Sequence, residues 1–153
     1  LRNTSILTSA AAVLALALAA GGPTTARAET VAQTLKTFGL IGEWSKDCAA
    51  PTTELNNRTV FEAQPDGSVK LSYRLGARGE IVYTVTGARI ISRQVIVLSE
   101  TNAAGQPADV TVAMDGRRSR VLASRDPSIN QSFIAGGVLL STGRDTSWET
   151  LCR

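Results

Sequence analysis

Apolar and polar residues alternate with a period of two along most of this chain. Ser68 to Leu75 is the plainest stretch, with Val69, Leu71, Tyr73 and Leu75 set between Ser68, Lys70, Ser72 and Arg74. Successive side chains of a strand point to opposite faces, so the pattern predicts a strand with one buried and one wet face. Pro65-Asp66-Gly67 supplies the turn before it. The pattern recurs at Glu80 to Thr86, with Ile81, Tyr83 and Val85 on one side. It recurs again at Ala108 to Met114, with Val110, Val112 and Met114 on one side. Gln94 to Leu98 is rich in Val and Ile. Asp115-Gly116 marks a tight hairpin, and Arg117 to Ser124 returns from it. Gln131 to Leu140 reads as one or two strands interrupted at Gly136-Gly137, and a last segment carries Trp148 and ends at Cys152.

Only one segment has helical spacing. Val31, Leu35 and Phe38 form a single apolar stripe, Thr30 and Gln33 make a capping-box pair, and Gly39 supplies the stop. The helix is about two turns long and cannot stand alone, so it must lie on the strands that follow. Turn signals at roughly 8–12-residue intervals, with so little helix, predict an all-β sandwich or barrel. Short connections favour a meander, and a meander of about seven or eight strands loses its exposed edges by closing on itself. The expected fold is therefore a small up-and-down antiparallel barrel with a short N-terminal helix. A two-sheet sandwich is the alternative.

Gly42-Glu43-Trp44, at the head of the first strand and after a short helix, resembles the Gly-x-Trp signature of lipocalins and related calycin barrels. In those families the Trp plugs one end of the barrel and a basic residue near the last strand packs over it. The resemblance assigns the second role to Arg144, or less directly to Arg153. This chain is shorter than most lipocalins and shows no helical pattern late in the sequence. Gly-x-Trp-x-x-Asp-Cys, with a closing Trp-x-x-x-Cys, is also similar to small exported proteins of Gram-negative bacteria. That likeness implies an envelope location and carries no activity with it.

The first 28 residues change the compartment in which all of this is read. Arg2 precedes an uncharged apolar run from Ile6 to Ala20, a Gly21-Gly22-Pro23 break, and Ala26-Arg27-Ala28. This is the three-part layout of a secretory signal peptide. Cleavage after Ala28 would start the mature protein at Glu29 and leave no stable membrane anchor. The apolar run is shorter than the roughly 20 residues that a spanning helix needs. An uncleaved anchor is the alternative. The expected location is periplasmic or secreted.

Removing residues 1–28 from the 153 leaves 125, enough for one domain with its own core. The leader holds two of the 16 basic residues and none of the 13 acidic ones, so the net charge falls from +3 to +1. That balance excludes the strong basic excess of a nucleic-acid binder. Histidine is absent. Ser-His-Asp and Cys-His catalysis are thereby excluded, as are the usual His-containing zinc sites. No metal, no cofactor and no catalytic residue is expected. Cys48 and Cys152 are an even count in an oxidising compartment, and only one pairing is available. A disulfide joining the start of the domain to its end is expected. Two free buried thiols are the alternative.

The remaining candidate residues are ligand contacts. Trp44 and the inward-facing Tyr73 and Tyr83 could line a barrel cavity, although a Trp beside each cysteine also suits a core packed on a disulfide. Arg118 and Arg120 share a strand face and could meet an anionic ligand, or could keep an edge strand soluble. The acids Glu43, Asp47, Glu54, Glu62, Glu80, Glu100, Asp109 and Asp115 fall where solvated turns and strand ends are expected. The expected function is non-enzymatic binding of a small apolar or amphipathic ligand inside the barrel. The alternative is an envelope protein–protein interaction or inhibitor module with a barrel filled by side chains. In that case the Glu100 to Ala108 loop and the Gly76 to Gly79 turn would project towards the partner.

Overall fold

The computed structural model describes residues 29–153, so the signal-peptide expectation for residues 1–28 lies outside the described residues. One helix, α1 (Val31–Phe38), precedes β1 (Gly42–Ser45), β2 (Arg58–Ala63), β3 (Val69–Arg74) and β4 (Glu80–Ser92). Then follow β5 (Val95–Asn102), β6 (Pro107–Asp115), β7 (Arg118–Asp126), β8 (Gln131–Ala135), β9 (Val138–Leu139), β10 (Arg144–Asp145) and β11 (Glu149–Leu151). Strands β1 to β7 form an antiparallel meander, and β11 lies between β7 and β1. The result is a closed, eight-stranded up-and-down barrel. The strands β8, β9 and β10 form an arm: β8 pairs with Ser124 to Asp126 of β7, and β9 and β10 follow outward from it.

Local chemistry accounts for the ends of the elements. Thr30 Oγ1 accepts from the Gln33 N–H, and Gln33 Oε1 accepts from the Thr30 N–H, completing the capping box. Gly39 closes α1 in the left-handed conformation, with φ 87°. Asp115-Gly116 turns the β6–β7 hairpin with Gly116 at φ 58°. Gly136 and Gly137, both at positive φ, form the two-residue turn between β8 and β9.

Alternation places Val69, Leu71 and Tyr73 of β3, Ile96 and Leu98 of β5, and Val110 and Val112 of β6 in one apolar cluster. Helix α1 covers one end of the barrel. Its Ala32 N–H donates to Gly67 O in the β2–β3 turn, and Leu35 and Leu40 are fully buried. Trp44 is also fully buried, and its Nε1–H donates to Leu40 O at 2.9 Å. The stopper over Trp44 is therefore the helix and the turn after it. Arg144 sits exposed in β10, and Arg153 pairs with Glu43 at 2.8 Å, so neither fills the covering role that the lipocalin resemblance implies. Two strands run further than their patterns suggest. Strand β4 continues past a bulge at Val85/Gly87 to Ser92, and β5 continues to Asn102. The expected long loop from Glu100 to Ala108 is therefore a short turn between Asn102 and Pro107.

The Cys48–Cys152 disulfide is present, with Cα atoms 5.5 Å apart and 104 residues between them in sequence. Such a bridge belongs with an oxidising compartment. Arg58 is 8% exposed and braces the same corner. Its guanidinium donates to Asp47 O, Cys48 O, Ala50 O and Thr52 Oγ1, and touches Cys152 Sγ at 3.5 Å. Replacing both cysteines by alanine should lower the unfolding free energy by about 2–5 kcal/mol, since a loop of this length leaves the unfolded chain much freer. Urea denaturation of the double variant beside the oxidised protein checks this, with the fold followed by far-ultraviolet circular dichroism.

Candidate functional site

The barrel is not filled. A cavity of about 290 Å³ begins among the core side chains and opens through the wall. Its inner surface is apolar, formed by Phe61 of β2, Val110 and Val112 of β6 and Val121 of β7. Ile134 of β8 and Leu139 of β9 extend that surface outward, and Lys46 and Asn57 at the β1–β2 end also line it. The opening follows from the pairing of β7. On the edge of β7 away from β6, β11 pairs with Arg118 and Ser119, whereas β8 pairs only from Ser124 onward. Between them no strand runs. The Gly137 N–H donates to Leu122 O, and the Thr146 hydroxyl donates to Val121 O at 2.6 Å.

Two carboxyl groups line this apolar space. Glu100, on β5, is 3% exposed, and its Oε1 has no hydrogen-bond partner. Burial pushes its carboxyl from an ordinary 4.5 up to about 8. Glu149, on β11, is also raised by burial, against the opposing effect of hydrogen bonds from Thr59 and Asn57 and the charge of Lys46. The Tyr73 hydroxyl is raised well above its ordinary value, first by burial and then by Glu100, Glu149 and Tyr83. The cavity thus presents an apolar wall with one unpartnered acid deep inside it. Among the described residues, no group of three or more Cys, Asp or Glu side chains converges as metal ligands would.

Five residues were expected to contact a ligand, and the structure separates them. Tyr73 and Arg120 line the cavity. Tyr83 stands behind Tyr73 in an edge-to-face pair, with ring centres 5.9 Å apart. Trp44 lies at the stoppered end with its N–H engaged by Leu40. Arg118 lies over the ring of Trp148, 4.9 Å from its centre. Arg120 is held by Thr146 Oγ1 at 2.9 Å and Gly137 O at 2.8 Å. Gly137 matters here, because a Cβ at that position would strike the Arg120 guanidinium. Arg117 donates to Leu151 O. The three arginines therefore hold the β7–β11 seam and the arm together and do not converge into an anion site.

Glu100 and Glu149 are the residues that the sequence pattern hid. Glu100 follows Ile96 and Leu98 in phase, two residues apart each time, and this parity is the signal for an inward carboxyl. Comparison with known proteins finds no matching family model, no similar curated protein and no similar solved structure. The site therefore rests on its own geometry.

The raised carboxyl predicts a pH dependence of stability with a definite sign. Between about pH 4.5 and 8 the unfolded chain releases the Glu100 proton and the folded chain keeps it, so stability falls as pH rises through this window. At about 1.4 kcal/mol per unit, the loss from Glu100 is on the order of 4 kcal/mol. Glu149 adds to it with the same sign. Glu100→Gln should remove most of the slope. Urea unfolding of both proteins at pH 5, 6.5 and 8 measures it, and parallel pH profiles for the two would refute the assignment.

Proposed function

We propose that the described domain is an exported, non-enzymatic binding barrel that holds a small apolar or amphipathic ligand in the cavity lined by Phe61, Val110, Val112 and Val121. The observation that carries this reading is the open, mostly apolar cavity of about 290 Å³ in a barrel of otherwise well-buried side chains. Small-molecule sites are concave, apolar and furnished with a few polar groups, and this volume suits a ligand at the lower end of their range. The leader sequence and the disulfide support a periplasmic or secreted location. Gly42-Glu43-Trp44 and the meander topology support a lipocalin-like relationship, with Trp44 at the stoppered end. The absence of histidine and of a free cysteine supports binding without catalysis.

Hexanol is a suitable neutral probe. Titration of the protein with hexanol should shift the methyl resonances of Val110, Val112, Val121 and Leu139. Val110→Phe places a larger side chain in the cavity and should weaken this binding at least tenfold, while the disulfide and the circular dichroism spectrum stay unchanged. Shifts confined to Phe133 and Leu140, which are exposed on the β8–β9 arm, would favour the alternative of a protein-docking module.

A further inference from the structure

We propose that the ligand is a small organic cation, an ammonium group on an apolar body, whose charge is recognised by Glu100. This rests on the ligand-holding reading above and deepens it. Glu100 Oε1 is the one side-chain polar atom among the described residues that is buried without a partner. An acid kept in such a place costs stability, and an apolar side chain of similar size would cost less. The other charged groups of the cavity already have partners. Lys46 acts on Glu149, which also accepts from Asn57. Arg120 is held by Thr146, Gly137 and Asp145. Among the described residues, no Lys or Arg forms an ion pair with Glu100, and burial alone accounts for its raised carboxyl.

The rest of the cavity suits the same kind of molecule. Phe61 and Tyr73 contribute aromatic rings to the wall that Glu100 shares, and ring faces attract an ammonium. Val110, Val112, Val121 and Leu139 offer the apolar surface that the body would cover. Glu149, nearer the Lys46 side, adds a second carboxyl. A bound cation would favour the ionised form of Glu100, so at neutral pH its entry would expel the Glu100 proton to solvent. The titratable groups around Glu100 are Tyr73 from β3, with Tyr83 of β4 behind it, and Glu149 from β11. Of these, Glu149 would ionise in the same direction.

The test compares hexylamine, hexanol and hexanoate, three probes with one body and different heads. Each is titrated calorimetrically into the exported protein and into Glu100→Gln at pH 6.5 and pH 8.5. The wild type should bind hexylamine at least tenfold more tightly than hexanol at pH 8.5, and this preference should shrink several-fold at pH 6.5. Glu100→Gln should lose the preference for the amine over hexanol, measured as the ratio of the two affinities within the variant. Glu100→Met is the second variant, should the amide disturb folding, and the same outcome is expected of it. Tightest binding of hexanoate would overturn the proposal, because Glu100 would then act as a protonated donor to an anion. An amine preference that survives both substitutions would also overturn it. Hexanol binding with no amine preference sinks the cation and leaves the ligand-holding reading intact. Failure of all three probes to bind removes that reading, and the proposal with it.

Discussion

Everything in this molecule depends on closing the barrel through its shortest strands. Strand β1 has four residues and β11 three, and only Trp44–Leu151 and Ser45–Thr150 are paired between them. So small a ladder is marginal by itself. It is extended by Glu43, whose N–H donates to Arg153 O and whose carbonyl accepts from the Cys152 N–H. Gly42 permits this approach, because a Cβ there would lie 2.6 Å from Arg153 O. The disulfide then ties the last residues of the chain to the segment after β1, and Arg58 fills the corner beneath it. The Glu43 carboxylate draws in Arg58, Arg74 and Arg153 from β2, β3 and the C-terminal end. Opening this seam would expose two strand edges and remove Glu149 and its neighbours from the cavity wall.

Arg58 and Glu100 show two opposite uses of a buried charge. Arg58 is buried and satisfied: carbonyls and a hydroxyl of the segment it fastens surround its guanidinium, and the Glu43 carboxylate of β1 lies beside it. Such a charge fixes a conformation, and removing one partner costs more than the pair contributes. Glu100 is buried and unsatisfied. It fastens nothing, it lowers stability once ionised, and it lines the open space of the barrel. A group that the fold does not use for its own cohesion, placed where a ligand could reach it, is a candidate for recognition. The two environments differ by more than exposure, since both residues are almost wholly covered.

Much of the fold was legible because its signals are local. The Thr30–Gln33 capping box, the Gly39 stop, the alternation through Val69, Leu71 and Tyr73, and the Asp115-Gly116 turn each follow from the stereochemistry of a few neighbouring residues. The disulfide was legible by arithmetic, from two cysteines with one possible pairing. The site was legible only in part. The place of Tyr73 on the cavity wall was legible because aromatic residues on an inward face are expected to pack together. Glu100 was missed because a carboxylate ordinarily ends a buried face. An acid at an in-phase position looks like the beginning of a turn unless tertiary structure covers it. The continuation of β4 past Gly87 was hidden for a related reason: a bulge shifts the parity, so the residues after it no longer match the alternation before it. The arm formed by β8 to β10 depends on contacts distant in sequence, and no local pattern announces it.

The arm is also what makes the cavity reachable. In a barrel with eight full-length strands, the eighth lane would run unbroken beside β7 and the apolar interior would be sealed. Here β11 and β8 divide that lane. The gap between them is bridged by hydrogen bonds to β7 from Gly137 and Thr146, and Arg120 of β7 holds the same two residues. Side chains on opposite sides of this break, Ile134 and Leu139 on the arm and Lys46 and Asn57 near the seam, surround the opening. The same pieces that complete the barrel therefore set the width of its entrance. A sequence that shortens β11 to three residues weakens closure and opens a path to Glu100 at once. The disulfide and the Arg58 cluster sit where that weakness would otherwise be greatest, so the fold keeps its entrance without losing its seam.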